Sequence, residues 1–170
     1  MSAISDTQRI SDDPTACEAP GSRCAHRQPV NVYEERSEMT KREAIFPANR
    51  HALYEEHGYS AAIRSADLLF VSGQVGSRSD GTPEPDFQLQ VQLAFENLKA
   101  TLDAAGCTLD DIVDITTFHT DPENQFPTIM AAKQKIFSAP PYPNWTAIGV
   151  NWLAGFDFEI KVIARIPSKA

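Results

Sequence analysis

The sequence predicts an α+β fold, a mixed sheet in ββαβαββ order with two helices packed on one face. Three observations predict it: β-type runs near both ends of the domain, two stretches with helical spacing between them, and turn formers at the joints. The runs YSAAIRS and LLFVSGQVG, separated by Ala66 and Asp67, read as a hairpin. Asp80, Gly81, Pro83 and Pro85 then break the chain, and Asp86 stands ready to cap a helix. In that helix Phe87, Val91, Ala94, Phe95, Leu98, Leu102 and Ala105 share one face, which leaves Gln90, Gln92, Glu96, Lys99 and Asp103 for the others. Gly106 suits a left-handed cap that ends it.

DIVDITTFHT alternates β-branched residues as a strand does, and FPTIMAAKQKIFS places Phe126, Ile129, Met130, Lys133 and Phe137 at helical spacing. Two closing strands are expected around Trp145–Leu153 and Phe156–Ile166, joined by a tight LAGF turn. With both helices on one side, the other sheet face is left bare. Ile148, Val150, Trp152, Phe158, Ile160 and Val162 would make it a large apolar patch in a monomer, which self-association would cover.

The domain is expected to occupy residues 39–170. Residues 1–38 are rich in Ser, Asp, Pro, Arg and Glu without sustained apolar period, the composition of a disordered tail. The opening residues lack an apolar h-region, no run is long enough to span a bilayer, and an odd count of three cysteines argues against a disulfide framework. A cytoplasmic protein without membrane contact is the expectation. A formal charge of −8 offers no attractive field to phosphate backbones, so no nucleic-acid partner is expected. Cys17, Cys24 and His26 match no standard zinc spacing, and neither metal nor cofactor is expected.

The segments FVSGQVG, AFENLKATLDAAG, DIVDITTFHTD and FEIKVIARIP, in that order, resemble the RidA (YjgF) superfamily, with a close match to its YjgH-like branch over most of residues 40–168. The resemblance implies a chorismate-mutase-like fold, a homotrimer, and small-molecule clefts between subunits. It also implies hydrolysis of reactive 2-imino and enamino acids, as RidA proper performs, through a deaminase-like reaction. The family anchors the substrate carboxylate with an arginine near the start of the penultimate strand, and that position here is Trp145. The resemblance further places Tyr59, Ser72, Gly73 and Asn97 at binding positions and Glu159 at the water-positioning glutamate.

Trp145 has two readings: packing, or the wall of a pocket that has lost its cation. With Tyr59 or Phe118 it would suit a neutral or cationic ligand rather than a carboxylate. Each of the other positions has a plain structural reading too. Glu159 alternates with Phe158 and Ile160 as on a solvated face, Asn97 suits a bond to a neighbouring loop, and His119 suits a satisfied structural histidine. Three functions remain open at this point: a divergent hydrolase acting on an imine, enamine or amide, a non-catalytic small-molecule binder, and a chaperone-like trimer. Some relatives are described as endoribonucleases, a role against which the acidic balance argues.

Overall fold

The computed structural model describes residues 42–48 and 52–168. The expected tail, with Cys17, Cys24 and His26, lies outside the described residues. Six strands form one sheet: β1 (Glu43–Ile45), β2 (Ala62–Ser65), β3 (Leu68–Val75), β4 (Ile112–His119), β5 (Asn144–Gly149) and β6 (Phe158–Arg165). Their order across the sheet is β1-β2-β3-β6-β4-β5. All neighbours are antiparallel except β4 and β5, which run parallel. The helices are a single turn α1 (Leu53–Glu56), the long α2 (Phe87–Ala104) and α3 (Pro122–Ile136). Strand β1 and helix α1 add to the expected order; both are too short for their residues to establish a period.

Helix α2 forms for the reasons its sequence gives. The Asp86 carboxylate accepts from the Leu89 amide, which satisfies one of the donors left free in the first turn. At the other end Gly106 takes φ +74°, and the Cys107 and Gly106 amides donate back to the Leu102 and Asp103 carbonyls. This is a Schellman closure, and burial of Cys107 beside Leu102 completes it. Val91, Ala94, Leu98 and Leu102 then pack on Leu69, Val71, Phe158, Ile160 and Val162 to make the core.

Gln90 departs from the helical pattern. It is buried at 2% exposure, with its Oε1 accepting from the Asp157 and Phe158 amides at 2.7 and 3.2 Å and its Nε2 donating to the Glu84 carbonyl at 2.8 Å. A buried amide that satisfies three backbone groups is worth more inside than out, and a periodicity count cannot see those partners.

The end of the chain also differs from expectation. Strands β5 and β6 are not a hairpin: β6 lies between β3 and β4, whereas β5 is the edge strand on the far side of β4. The LAGF turn exists, with the Phe156 amide donating to Leu153 and Ala154 and Gly155 at positive φ, but it only bends the connection 150–157. That connection crosses the end of β4 and bonds to it on both sides, through Val150 N to His119 O and Thr120 N to Asp157 O. A parallel β4–α3–β5 crossover carries the chain past β4, so the last strand must return over it. As a consequence Phe158, Ile160 and Val162 face the helices and are buried, contrary to their expected place in a bare patch. The uncovered face instead presents Phe70, Phe118, Ile148 and Ile163, interspersed with Glu159 and Lys161.

Candidate functional site

The uncovered face gathers one group of the expected residues. On β6 the outward positions are Glu159, Lys161 and Ile163, and Phe118 of β4 is the register partner of Glu159. Gly73 sits in the irregularity of β3 between Val71 and Gln74, and the Glu159 side chain lies directly across it. A Cβ at Gly73 would stand 2.8 Å from Glu159 Cγ, so only glycine leaves room for the carboxylate to lie against the strand. Among the described residues Glu159 has no salt bridge and no hydrogen-bond partner. Burial pushes its pKa up, and Lys161 opposes the shift only in part. Tyr59 stands close enough for its charge to couple with that of Glu159; burial, then Tyr54 and Glu159, push its phenol up to about 12. Its ring meets Tyr54 edge to face at 5.0 Å, and the Tyr54 hydroxyl donates to buried Gln74.

A half-buried carboxylate with a raised pKa, beside a phenol that stays protonated at neutral pH, is equipped to pass a proton in either direction. Ser72 and Asn97 have structural tasks within the chain. The Ser72 hydroxyl donates to the Ser60 carbonyl at 2.7 Å, and Asn97 Nδ2 donates to the Val75 and Ser77 carbonyls at 2.9 and 3.2 Å, tying α2 to the end of β3.

Trp145 lies elsewhere. It pairs with Ile115 and takes the helix-facing side of β5, opposite to Glu159 and Phe118. Its Nε1 donates to Thr117 Oγ1 at 2.9 Å, and the same hydroxyl meets His119 Nε2 at 2.8 Å. The indole stacks on Phe126 with centroids 5.7 Å apart and planes 13° from parallel, and Lys133 Nζ stands 4.6 Å from its centroid. The expected pocket without a cation is therefore corrected. The indole's π-face already holds an ammonium, and a cationic ligand there would meet like charge. Within one chain the indole and Glu159 cannot line one pocket; a second copy would have to bring them together. Phe126 and Lys133 are seven residues apart, two turns along one face of α3, and that spacing is the signal by which Lys133 is found as a neighbour of Trp145.

His119 is fully buried, packs on Phe158 at 5.6 Å, and leaves Nδ1 without a partner. Desolvation lowers its pKa, so the folded chain keeps the ring neutral while the unfolded chain protonates near the ordinary value of about 6.5. Its contribution to stability is intact above that value and is lost as pH falls from there through the folded-state value. His119→Gln, which keeps a polar partner for Thr117 without titrating, is expected to flatten the fall in Tm between pH 7 and pH 5 relative to the parent chain. Parallel Tm profiles for the two proteins would contradict this.

Among the described residues no helix is long and apolar enough to cross a membrane, and no group of three or more His, Cys, Asp or Glu is placed to hold a metal ion.

The sequence matches the family described as Endoribonuclease L-PSP over residues 49–166. It is 78% identical over 131 residues to the RutC family protein YjgH of Escherichia coli K12, covering 77% of this chain and all of that protein. The chain belongs to the RidA/YjgF superfamily, in its YjgH-like branch. A solved structure of YJGH superposes on this member with a TM-score of 0.74 at 78% identity, covering 76% of this chain and all of that one. RidA from the Antarctic bacterium Psychrobacter sp. PAMC 21119 superposes with a TM-score of 0.63 at 29% identity, over 73% and 99% of the two chains. A relative from Dermatophagoides farinae named 2-iminobutanoate/2-iminopropanoate deaminase is 30% identical over 94 residues, 54% of this chain and 72% of its own. The fold of this RidA-superfamily chain is thus the chorismate-mutase-like one expected from its sequence.

Proposed function

We propose that this chain is a divergent Rid-type hydrolase of C=N compounds, working in clefts between the subunits of a homotrimer. The observation that carries the reading is Glu159: a half-buried carboxylate with a raised pKa and no partner among the described residues, laid across Gly73 and near Tyr59 on the sheet face that the helices leave uncovered. In this reaction Glu159 takes a proton from water as the oxygen attacks the imine carbon and gives it to the nitrogen, then takes the hydroxyl proton of the carbinolamine so formed and passes it to the nitrogen as the C–N bond breaks, leaving the carbonyl product and ammonia. Tyr59, its phenol protonated, is a donor to the developing charge. The uncovered face with Phe70, Phe118 and Ile148 supports assembly, and assembly is what would bring the Trp145 end of one copy towards the Glu159 face of another.

The substrate differs from the small 2-imino acids. A guanidinium fork holds a carboxylate through two charge-assisted bonds worth about 1.5–3 kcal/mol net, and an indole offers one uncharged donor, here already given to Thr117. Ammonia release from 2-iminobutanoate is therefore expected to run at least about tenfold below that of a RidA with the arginine, measured side by side. Equal rates would overturn the substrate assignment. Binding of small molecules without any turnover would favour a non-catalytic module, and suppression of client aggregation that survives Trp145→Ala would favour a chaperone-like role.

A further inference from the structure

We infer that Lys133, held over the Trp145 indole, is the group that receives a negative charge on the substrate. The chain carries an excess of acids, and four described cations are taken up by them: Lys99 pairs with Asp103, Arg78 with Glu84, Arg64 with Glu43 and Arg165 with Asp67. Lys133, Lys135 and Lys161 have no ion pair among the described residues, and of these three Lys133 is the one seated over an aromatic ring. Lys133 has no carboxylate partner among the described residues, yet it is not loose. The indole that it overlies is held by two contacts: its Nε1 is bonded to Thr117, itself bonded to buried His119, and its ring is stacked on Phe126. The ammonium is thereby placed before any ligand arrives, half-buried, and among the described residues no acceptor takes its N–H donors.

This placement defines the ligand class. Lysine offers a point charge and end-on contact, where an arginine fork selects a planar carboxylate held on two bonds. The charge also stands off the strand, 4.6 Å above the indole centroid and carried on α3 rather than on β5. A substrate that meets it has its anionic group displaced from the strand by the ring, which suits an imine or enamine whose carboxylate lies further from the reacting C=N than in a 2-imino acid. The inference rests on the hydrolase reading for the words substrate and C=N, but its binding claim stands on the Lys133 and Trp145 geometry alone.

The test is a titration of the full chain with benzoate and butanoate, and with benzamide and butanamide as their neutral counterparts. The readout is the indole Nε1–H resonance of Trp145, identified by its persistence in a Trp152→Phe background, since the chain has two tryptophans. Carboxylates are expected to shift this resonance and the amides to bind at least about tenfold more weakly. Lys133→Met is expected to weaken carboxylate binding at least about tenfold, and Lys133→Arg to preserve it. The side chain is half-exposed, so both variants keep the core intact, and an unchanged amide spectrum checks this. Carboxylate binding that is indifferent to Lys133→Met, amides that bind as well as acids, or no shift with any probe would each overturn the assignment. Because the titration needs no turnover, it is repeated in Glu159→Gln. Lys133-dependent binding in the parent chain and in Glu159→Gln alike, with no ammonia released by the parent from any imine or enamine offered, would sink the hydrolase reading and leave the anion site standing.

Discussion

Glu159→Gln lowers turnover of whichever C=N substrate the chain accepts by about 100-fold or more, with the fold intact. Glutamine matches the carboxylate in size, so it lies across Gly73 as Glu159 does, but it cannot accept the proton of the attacking water. The same substitution has a stability signature whose sign is fixed by the pKa shift. Burial raises the folded-state value, with Lys161 opposing, so the ionised carboxylate burdens the folded chain. The stability contributed by Glu159 is present below its unfolded value of about 4.3 and is lost as pH rises through the folded value. Glu159→Gln should accordingly melt higher than the parent at pH 8 and alongside it at pH 4. A carboxylate with a structural task would give the opposite, a lower Tm at pH 8, and would remove the reason for placing catalysis there. Loss of turnover together with a raised Tm is a combination that packing alone does not produce, because function here is held at the expense of stability.

Gly76→Ala is expected to be the most destabilising small substitution in the domain, at about 3 kcal/mol or more. Gly76 follows β3 where the chain passes closest to α2, and a Cβ there would stand 2.7 Å from the Gln90 Cα and closer still to Gln90's backbone oxygen. A helix backbone cannot yield as a side-chain tip can. Helix α2 would have to lift from the sheet, opening contacts made by Val91, Ala94 and Leu98. Gly73→Ala is the informative contrast, since the atoms nearest the new methyl all belong to the Glu159 side chain. Urea midpoints should therefore separate the pair, with Gly76→Ala strongly shifted and Gly73→Ala close to the parent while its carboxylate is turned aside. A Gly76→Ala midpoint near that of the parent would mean that the strand and helix are not in contact as described.

Much of this architecture was readable from residue order. Asp86 and Gly106 bound α2 where capping chemistry puts them, and the apolar spacing from Val91 to Leu102 marks its buried face. Topology at the C-terminus was not readable, because a tight turn between two strand-like runs is a local signal and strand neighbours are chosen by the whole sheet. The placement of Phe158, Ile160 and Val162 followed from that one choice. In the candidate site, Gly73 and Phe118 do stand with Glu159, and Tyr59 is near it, whereas Trp145 faces the helices. Single-residue correspondence with a family locates a position along a strand, but it does not say what a neighbouring helix brings to that position. Lys133 was visible only as one more member of a helical repeat. Gln90 was hidden for a related reason: an uncharged polar residue joins the core when backbone groups await it, and those groups come from residues 84 and 157–158, far apart in sequence.

Gln90 thereby makes three remote pieces of chain open and close as one. Its single side chain grips the Glu84 loop from a position in the first turn of α2 and holds the amides from which β6 departs, one residue before Glu159. Fraying at the start of that helix cannot remain local: it would release the strand that carries the acid, and whatever quiets the acid must stiffen the helix in return.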